Sequence, residues 1–475
     1  MYLLIPFLLI TTSFLSYFLL CPSAVCSVSL VNFTTVFPQA LSTSILFLES
    51  FVWDALGVPL IVVLGLYFTV FKAKGAQFRA LLNVPSILKD AFNAEASSET
   101  EHGISPWRIL MTCVGGAVGI GNIAGICLAV QMGGPGALFW VWVVAILGVV
   151  LKYSEVYLGM KTRVLGPKGY EGGPAQYLPK AFGSNTLATL ASILLCIYGV
   201  EIYQFHVMVD SVSLSWGFDP IISAVVLLVL VLAAALGGFQ RVSLLASRTV
   251  PVFIVTYLIM SLCVLFYYID EIPGVLALVV RSALTGHAPL AGFAGASFLS
   301  CVQHGIARGC YASDIGIGYN AMLHAESHDT NPVRQASLTY AGVLIDLLGV
   351  CTLSLLMVLV SGVWLEPVDS SLLVQHALSK VFPGMHLFMP LMILMLGYST
   401  VIAFFAVGLK SAQSLFPSNQ KKAKIAFFIL GGAALFFFTF LKVEVAMSFM
   451  SLCGGALLIL HLIAFWKLRH MIKFK

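Results

Sequence analysis

Glycine and amide residues interrupt an apolar stretch in the first third of the chain. The segment GGAVGIGNIAG, residues 115–125, places five glycines and the amide of Asn122 inside an apolar run from Ile109 to Met132. Glycine costs about 1 kcal/mol relative to alanine in a helix, so this composition predicts close helix packing or a break in the helix. At a break, free N–H groups could bind a carboxylate and free carbonyls could bind a small cation. We favour the break, because packing alone does not require Asn122.

A second apolar segment, residues 292–318, carries its own polar residues. Gln303 and Gly305 interrupt its hydrophobic pattern and predict a second break, near residues 301–305. Arg308 and Asp314 follow on the same segment, and we interpret them as a structural ion pair or helix cap near the membrane surface.

Further polar side chains lie within other apolar runs. Gln204 is either a strut between helices or a substrate contact, because a buried amide needs partners. Glu201, one turn earlier, is interpreted as a solvated group near a membrane surface. Asp346 lies deep in its run without an adjacent basic residue, so it serves either structural pairing or ion coupling.

Two spacings give more local predictions. Thr400 and Phe404 are one helical turn apart, so they could form one wall of a pocket for a small amphipathic substrate. Packing in the core is the alternative for Phe404. Lys152 and Glu155 have the i, i+3 spacing of a local ion pair on one helix.

The composition indicates the class of protein that must position these residues. The chain has 475 residues, of which 60% are hydrophobic and 9% are charged, whereas soluble domains average about 25% charged residues. Repeated apolar runs of helical span length therefore predict an all-α polytopic membrane protein. The net charge of +5 gives no reason to expect a nucleic-acid partner.

The pattern of apolar runs predicts eleven spans in a transporter domain, residues 51–475. They are 56–72, 106–131, 135–158, 187–208, 220–236, 250–268, 292–316, 337–363, 387–409, 424–441 and 443–466. Segment 1–20 is either a twelfth span or part of an N-terminal extension, residues 1–50. With these spans, 21 of the 25 Lys and Arg residues fall on one side, which predicts a cytoplasmic C-terminus.

The last ten predicted spans divide into two halves of opposite topology, residues 106–268 and 292–466. The first span of each half is rich in glycine and carries polar residues. Interrupted segments at matching positions in two inverted halves predict a transporter with its site between them. The chain shows no P-loop, hydrolase triad, metal cluster or cofactor motif, so we predict no enzyme activity and no cofactor, and we expect an ion gradient to drive transport.

Six blocks of sequence resemble the alanine/glycine:cation symporter family, in the family's order and over roughly residues 52–466. They are VGIGNIAG (118–125), GGPGALFWVWV (133–143), KYSEVYLG (152–159), EGGPAQYL (171–178), GIARGCYASDIGIG (305–318) and LIDLLGVCT (344–352). The resemblance implies a LeuT-like five-plus-five inverted repeat preceded by one extra helix. It also implies Na⁺-coupled uptake of alanine or glycine, with H⁺ as the other possible ion.

The motif alignment and the polar residues together give the predicted site. The substrate-binding candidates are Val118, Gly119, Gly121, Asn122, Gln204, Gln303, Gly305, Thr400 and Phe404. The candidates for cation coupling are Ile120, Asn122, Asp314 and Asp346, and we expect no metal other than transported Na⁺.

Among this chain's departures from the family motifs, three remove a functional group that the family has. Ile120 stands where the family has threonine, Phe404 where it has tryptophan, and Leu409 where it has glutamate. These changes remove a hydroxyl group, an indole N–H donor and a carboxylate from motif positions.

The sequence therefore predicts a symporter of the cytoplasmic (inner) membrane that moves a small neutral amino acid with Na⁺. One alternative is a proton-coupled or altered-substrate member of the same family. The other alternative is a membrane sensor or scaffold that kept the fold without transport.

Overall fold

The computed structural model describes residues 39–96, 103–166, 169–285, 298–440 and 443–474. The predicted apolar segment 1–20 lies outside these ranges. Nearly all the described chain is helical, and one antiparallel hairpin joins β1 (Val164–Gly166) to β2 (Gly169–Glu171).

The α-helices of the described residues are numbered in chain order. They are α1 Gln39–Ser50, α2 Val58–Tyr67, α3 Ala76–Leu82, α4 Val84–Ala96, α5 Pro106–Ala117, α6 Cys127–Gly133, α7 Ala137–Thr162, α8 Pro174–Phe182, α9 Thr186–Tyr198, α10 Ile202–Trp216, α11 Pro220–Leu236, α12 Gly238–Tyr267, α13 Ile272–Thr285, α14 Phe298–Ala312, α15 Tyr319–Ala325, α16 Pro332–Ile345, α17 Thr352–Val360, α18 Leu373–Ser379, α19 Met385–Leu415, α20 Gln420–Phe438 and α21 Val443–Lys467.

Within the described ranges, seven helical stretches are long and apolar enough to cross a membrane. They are Ile45–Lys72, Ala137–Thr162, Thr186–Trp216, Gly238–Tyr267, Pro332–Val360, Met385–Leu415 and Val445–Lys467. The shorter apolar helix α11 coincides with the predicted span 220–236. The first stretch begins before residue 51, so this helix crosses the boundary predicted between extension and transporter domain.

The first break lies within the glycine-rich segment. Helix α5 begins at Pro106, where the Ser105 hydroxyl caps the N–H of Arg108 at 3.4 Å, and it ends at Ala117. A single 3₁₀ turn, Ile120–Asn122, follows before the chain becomes helical again in α6. The segment therefore contains a helix interruption, as its composition predicts.

The second break lies further along the chain than predicted. Helix α14 runs without interruption through Gln303 and Gly305, so the predicted break near residues 301–305 is wrong. A Cβ at Gly305 would lie 2.6 Å from the Ala137 carbonyl oxygen, so this glycine allows α14 to pack against α7. The interruption falls at residues 313–318, where Asp314, Gly316 and Gly318 have positive φ.

The two breaks meet at the centre of the helical bundle. The turn Ile120–Asn122 contacts α14, α10, α19 and a π-helical segment, Asp346–Cys351, that joins α16 to α17. Helix α19 in turn packs against α5, α9, α10 and α12. Interrupted and continuous helices thus enclose one central region.

Candidate functional site

Asn122 holds the first break together from a fully buried position. Its Oδ1 accepts a hydrogen bond from the Gly119 N–H at 3.0 Å, and its carbonyl accepts one from the Ser354 hydroxyl at 2.9 Å. Its Nδ2 donates to the Asp346 carboxylate and to Cys351 Sγ, the latter at 3.2 Å. The amide therefore replaces helical hydrogen bonds and ties the break to the π-helical segment.

Gln204 supplies a second acceptor for the first break. Its Oε1 lies 3.0 Å from the backbone nitrogen of Ile120 and accepts that N–H. A Cβ at Gly119 would lie 2.6 Å from Gln204 Oε1 and 2.9 Å from Thr400 Oγ1, so only glycine fits there. The Thr400 hydroxyl donates to the Gly115 carbonyl at 3.0 Å. Gln204 and Thr400 thus contact the break from two separate helices.

Gly121 faces open space at the centre of the site. A Cβ built there would meet nothing within 4 Å, unlike one built at Gly119. The space belongs to a cavity of about 20 Å³, which is room for a single water-sized group. Its lining includes Gly116, Gly121, Asn122, Tyr198, Glu201, Gln204, Tyr311 and Asp314.

Aromatic rings form one wall of this region. The Phe404 ring stacks on Tyr319, with centroids 4.0 Å apart, and meets Tyr198 edge-on at 5.4 Å. The Tyr319 hydroxyl donates to the Thr112 carbonyl at 3.0 Å. A Cβ at Gly116 would lie 1.9 Å from that hydroxyl oxygen, so this glycine is required by the tyrosine rather than by the break.

Two buried carboxyl groups face the same cavity. Asp314 and Glu201 both have left-handed backbone, with φ of +51° and +54°, and each lies at an interruption of its helix. Tyr198 donates its hydroxyl to Asp314 Oδ1 at 3.2 Å. Non-glycine residues rarely adopt this conformation, and when they do they cluster at functional sites.

Glu201 is the residue that sequence analysis missed. The interpretation as a solvated group is wrong, because its side chain lies in the core with 2% of the residue exposed. Helix α9 ends at Tyr198 and α10 begins at Ile202, so Glu201 lies at an interruption inside one apolar run. Gly199 in the middle of that run is the sequence signal that could have located this break.

Lys152 and Glu155 anchor the second break instead of pairing locally. The Lys152 ammonium donates to the Ser313 carbonyl at 2.8 Å, while Glu155 Oε1 accepts the Ala321 N–H at 3.0 Å. The local ion pair predicted from their spacing is therefore wrong. Lys152 thus reaches from α7 to the irregular backbone of the break, and Glu155 reaches the first turn of α15, because freed backbone groups there need partners.

Arg308 also differs from its predicted pairing. Its guanidinium lies 3.6 Å from Glu49 Oε1 of the first helix, rather than on Asp314. Asp314 instead faces the central cavity. Helix α14 ends at Ala312, between Arg308 and Asp314, so the two side chains do not lie on one continuous helix.

Buried carboxyl groups outnumber buried basic groups at the centre of the molecule. Among the described residues, Lys152 is the one buried Lys or Arg side chain, whereas Glu155, Glu201, Asp314 and Asp346 are all buried in the core. Asp346 Oδ2 has no hydrogen-bond partner within the described part of the chain. Buried carboxylates need counter-charges, so this region favours a cation or protons.

The structure brings together most of the predicted site, and the roles of these residues remain predictions. Residues 118–122 form the first break, and Gln204 and Thr400 contact it directly. Gln303 and Gly305 lie elsewhere, on an unbroken part of α14 that packs on α6 and α7.

A larger cavity opens at the predicted cytoplasmic end of the molecule. Its volume is about 270 Å³, and it lies between α8, α9, α15 and α19. Lys410 of α19 forms an ion pair with Glu326, which follows α15, at its wall. This ion pair connects the helix after the second break to the continuous helix that carries Thr400.

Comparison with known proteins places the chain in a family. The model of the Sodium:alanine symporter family matches residues 38–474, nearly the whole chain. The probable sodium/glutamine symporter GlnT of Bacillus subtilis is 29% identical, with 88% of this chain and 87% of that protein covered. The sodium/alanine symporter AgcS of Methanococcus maripaludis is also 29% identical, with coverage of 77% and 82%.

Solved structures agree with this assignment at the level of the fold. The crystal structure of MhsT in complex with L-phenylalanine has a TM-score of 0.54 and 13% identity, and the match covers 76% of this chain and 89% of MhsT. This likeness confirms the predicted LeuT-like fold, while the number of spans remains a prediction. The chain belongs to the sodium:alanine symporter family.

Proposed function

We propose that this membrane transporter, a Na⁺-coupled amino-acid symporter by its family, takes up a small neutral amino acid, alanine or glycine. The supporting observation is the open space at Gly121. It lies beside a break whose neighbouring N–H groups are accepted by the side-chain oxygens of Asn122 and Gln204. A ligand there would meet irregular backbone directly, with no side chain between.

The size of the substrate follows from the walls. Gln204 and Thr400 leave no room for a Cβ at Gly119, and the Phe404 ring, one turn after Thr400, stacks on Tyr319. A central cavity of about 20 Å³ must widen even for alanine. The smallest side chains require the least widening, which favours alanine and glycine over glutamine.

The polarity of the site suits a zwitterion. The Ile120 and Gly119 N–H groups lie at the first break, where a substrate carboxylate could replace the side-chain amide oxygens that accept them. Asp314 and Glu201 face the same cavity and could bind the ammonium group. The two ends of an amino acid would thus meet different groups, N–H donors for the carboxylate and carboxyl groups for the ammonium.

Na⁺ is the proposed coupling ion. The unpartnered Oδ2 of Asp346 is buried beside Asn122, and carboxylate and carbonyl oxygens suit a hard monovalent cation. One charge crossing a membrane potential of ~100 mV releases about 2.3 kcal/mol, and a tenfold ion gradient adds about 1.4 kcal/mol. Together these energies support a substrate gradient of several hundredfold.

A proton is the second candidate for coupling. The observation that favours it is the pair of carboxyl groups, Glu201 and Asp314, that line one cavity. Two neighbouring buried carboxylates resist double ionisation, so one of them could carry a proton through the transport cycle.

Uptake into proteoliposomes distinguishes these possibilities. Radiolabelled alanine, glycine, serine and glutamine are offered under an imposed Na⁺ gradient or an imposed H⁺ gradient. We expect alanine and glycine to accumulate with Na⁺ alone. Uptake driven by H⁺ without Na⁺ would show that the coupling ion is a proton. Preferential uptake of glutamine would show that glutamine is the substrate. Absence of uptake under both gradients would favour a sensor or scaffold.

A further inference from the structure

A nearly apolar groove lies on the outside of the bundle and differs in chemistry from the central cavity, although Ile197 and Val200 of its lining precede the cavity residues Tyr198 and Glu201 in the chain. It runs between α9, the end of α19 and the start of α20, and its volume is about 400 Å³. Ile193, Cys196, Leu415, Ala426 and Leu430 are among the residues that line it. A groove of this size on a membrane-facing surface must be covered by an acyl chain or by another helix.

The rim of the groove is positively charged at one end. Helix α20 begins there, and its first turns carry the exposed Lys421 and Lys422 and the half-buried Lys424. Lys424 donates to the Leu236 carbonyl at 3.4 Å, so the other two ammonium groups are the ones directed to solvent or headgroups. The sequence has no Asp or Glu between residues 411 and 440 or between residues 172 and 200, so acidic side chains on α9, α20 or the connecting turn do not offset this charge.

The N-terminal ends of two helices add to the positive electrostatic potential at this end of the groove. Helix α9 begins at Thr186 and α20 begins at Gln420, and the groove is lined near both starts by Thr189 and Ala423. The N-terminal ends of two helices therefore lie at the lysine-bearing end, where their dipoles favour an anion. This is the predicted cytoplasmic face, at the level of the lipid headgroups.

We propose that the groove binds an anionic phospholipid, with an acyl chain along the apolar wall and the phosphate group at Lys421 and Lys422. A zwitterionic lipid would fill the apolar wall without using this charge. A second copy of the chain is disfavoured, because a two-fold interface through this groove would place the same lysines opposite each other. Polybasic segments beside apolar membrane helices bind anionic lipids in this way.

Lipid retention by the purified protein tests the site. The protein is incorporated into nanodiscs of equimolar phosphatidylglycerol and phosphatidylcholine and extracted into mild detergent. The retained lipids are then counted by native mass spectrometry. We expect the wild type to retain phosphatidylglycerol in excess. The double variant Lys421→Gln/Lys422→Gln should lower that retention by about fivefold for each lysine removed.

A second variant tests the apolar wall separately. Ala426→Trp fills the groove from an exposed position and should lower retention of phosphatidylglycerol with both lysines intact. Ile429→Trp is its matched control, because Ile429 is 64% exposed on the same helix and lies outside the groove. Lys72→Gln/Lys74→Gln is the charge control, on the same predicted face but away from α20.

Three results would overturn the proposal. One is equal retention of the two lipids by the wild type. Another is unchanged phosphatidylglycerol retention in both groove variants while the proteins elute as folded species. The third is a lipid-free dimer that Ala426→Trp dissociates, which would make the groove an interface between copies. None of these outcomes depends on the substrate or the coupling ion.

Discussion

The two helix breaks meet at one cavity but are built differently. Residues 115–126, around the first break, contain no charged side chain, and neutral amides from Asn122 and Gln204 accept its N–H groups. The second break contains Asp314 at positive φ, and its carbonyls are held by Lys152 at 2.8 Å and by His461 Nδ1 at 2.8 Å.

This difference indicates that the two breaks have different roles in ligand binding and in stability. Neutral hydrogen bonds contribute about 1 kcal/mol each, so a ligand can replace those at the first break at low cost. Charged and fully buried partners are much more expensive to displace, so the second break is fixed in place. We therefore expect substitutions at the first break to affect transport most and those at the second break to affect stability most.

Lys152→Met should give the largest effect, because it removes the buried ammonium group that faces Ser313. Leaving buried partners of a charged group uncompensated costs about 3–5 kcal/mol. We expect a much lower denaturation midpoint in detergent and the loss of uptake with it. Lys161→Met, at the exposed end of the same helix, is the control and should match the wild type. Unfolding of Lys152→Met at the wild-type midpoint would show that the second break is not anchored by charge.

Asn122→Ala should separate transport from stability. It removes the acceptor for Gly119 and the partner of the Asp346 carboxylate. We expect alanine uptake to fall about a hundredfold, equivalent to about 2.7 kcal/mol, with a smaller loss of stability than in Lys152→Met. Unchanged substrate binding would mean that the glycine-rich segment only packs helices. Asn83→Ala, at an exposed amide outside the bundle core, controls for nonspecific effects.

Gln204→Leu should have a moderate effect on apparent affinity. Without Oε1 the Ile120 N–H loses its acceptor, and we expect the KM for alanine to rise about tenfold. Gln303→Leu is the matched control, because Gln303 lies on the unbroken part of α14 and should leave KM near the wild-type value. Equal effects of the two substitutions in the uptake assay would show that Gln303 belongs to the binding site and would contradict the placement of the second break.

Glu201→Gln should give the smallest effect if Na⁺ is the coupling ion. The change keeps the shape of the side chain and removes one charge from the cavity. We expect Na⁺-driven uptake to change by less than about threefold, since Asp314 still faces the same cavity for the substrate ammonium group and Asp346 remains beside Asn122. Loss of an uptake component driven by H⁺, measured in the same proteoliposomes, would instead identify the glutamate as a proton carrier.

The sequence predicts the fold and the first break well, for a physical reason. Spans follow from apolar length, and a break with five glycines and a buried amide leaves a local signal in consecutive residues. The second break leaves a weaker signal, because Gln303 and Gly305 look like an interruption but serve packing against α7. Its true position depends on partners that are distant in sequence, such as Lys152, which binds the Ser313 carbonyl of the break.

Long-range pairing also explains the other differences. Arg308 pairs with Glu49, a residue 259 positions earlier, although Asp314 is nearer in sequence. Lys152 and Glu155 have the spacing of a local pair, yet Lys152 binds the Ser313 carbonyl of the break and Glu155 binds the Ala321 N–H in the first turn of α15. Spacing on one helix cannot reveal such contacts, because it contains no information about which helices become neighbours.

Dependence of alanine binding on Na⁺ tests the central claim most directly, namely that one site formed by the two breaks binds amino acid and cation together. Alanine binding to the purified protein is measured by calorimetry in NaCl and in choline chloride at equal ionic strength. We predict that Na⁺ strengthens alanine binding at least about tenfold and that alanine strengthens Na⁺ binding by the same factor. Equal alanine affinity in the two salts would contradict the account.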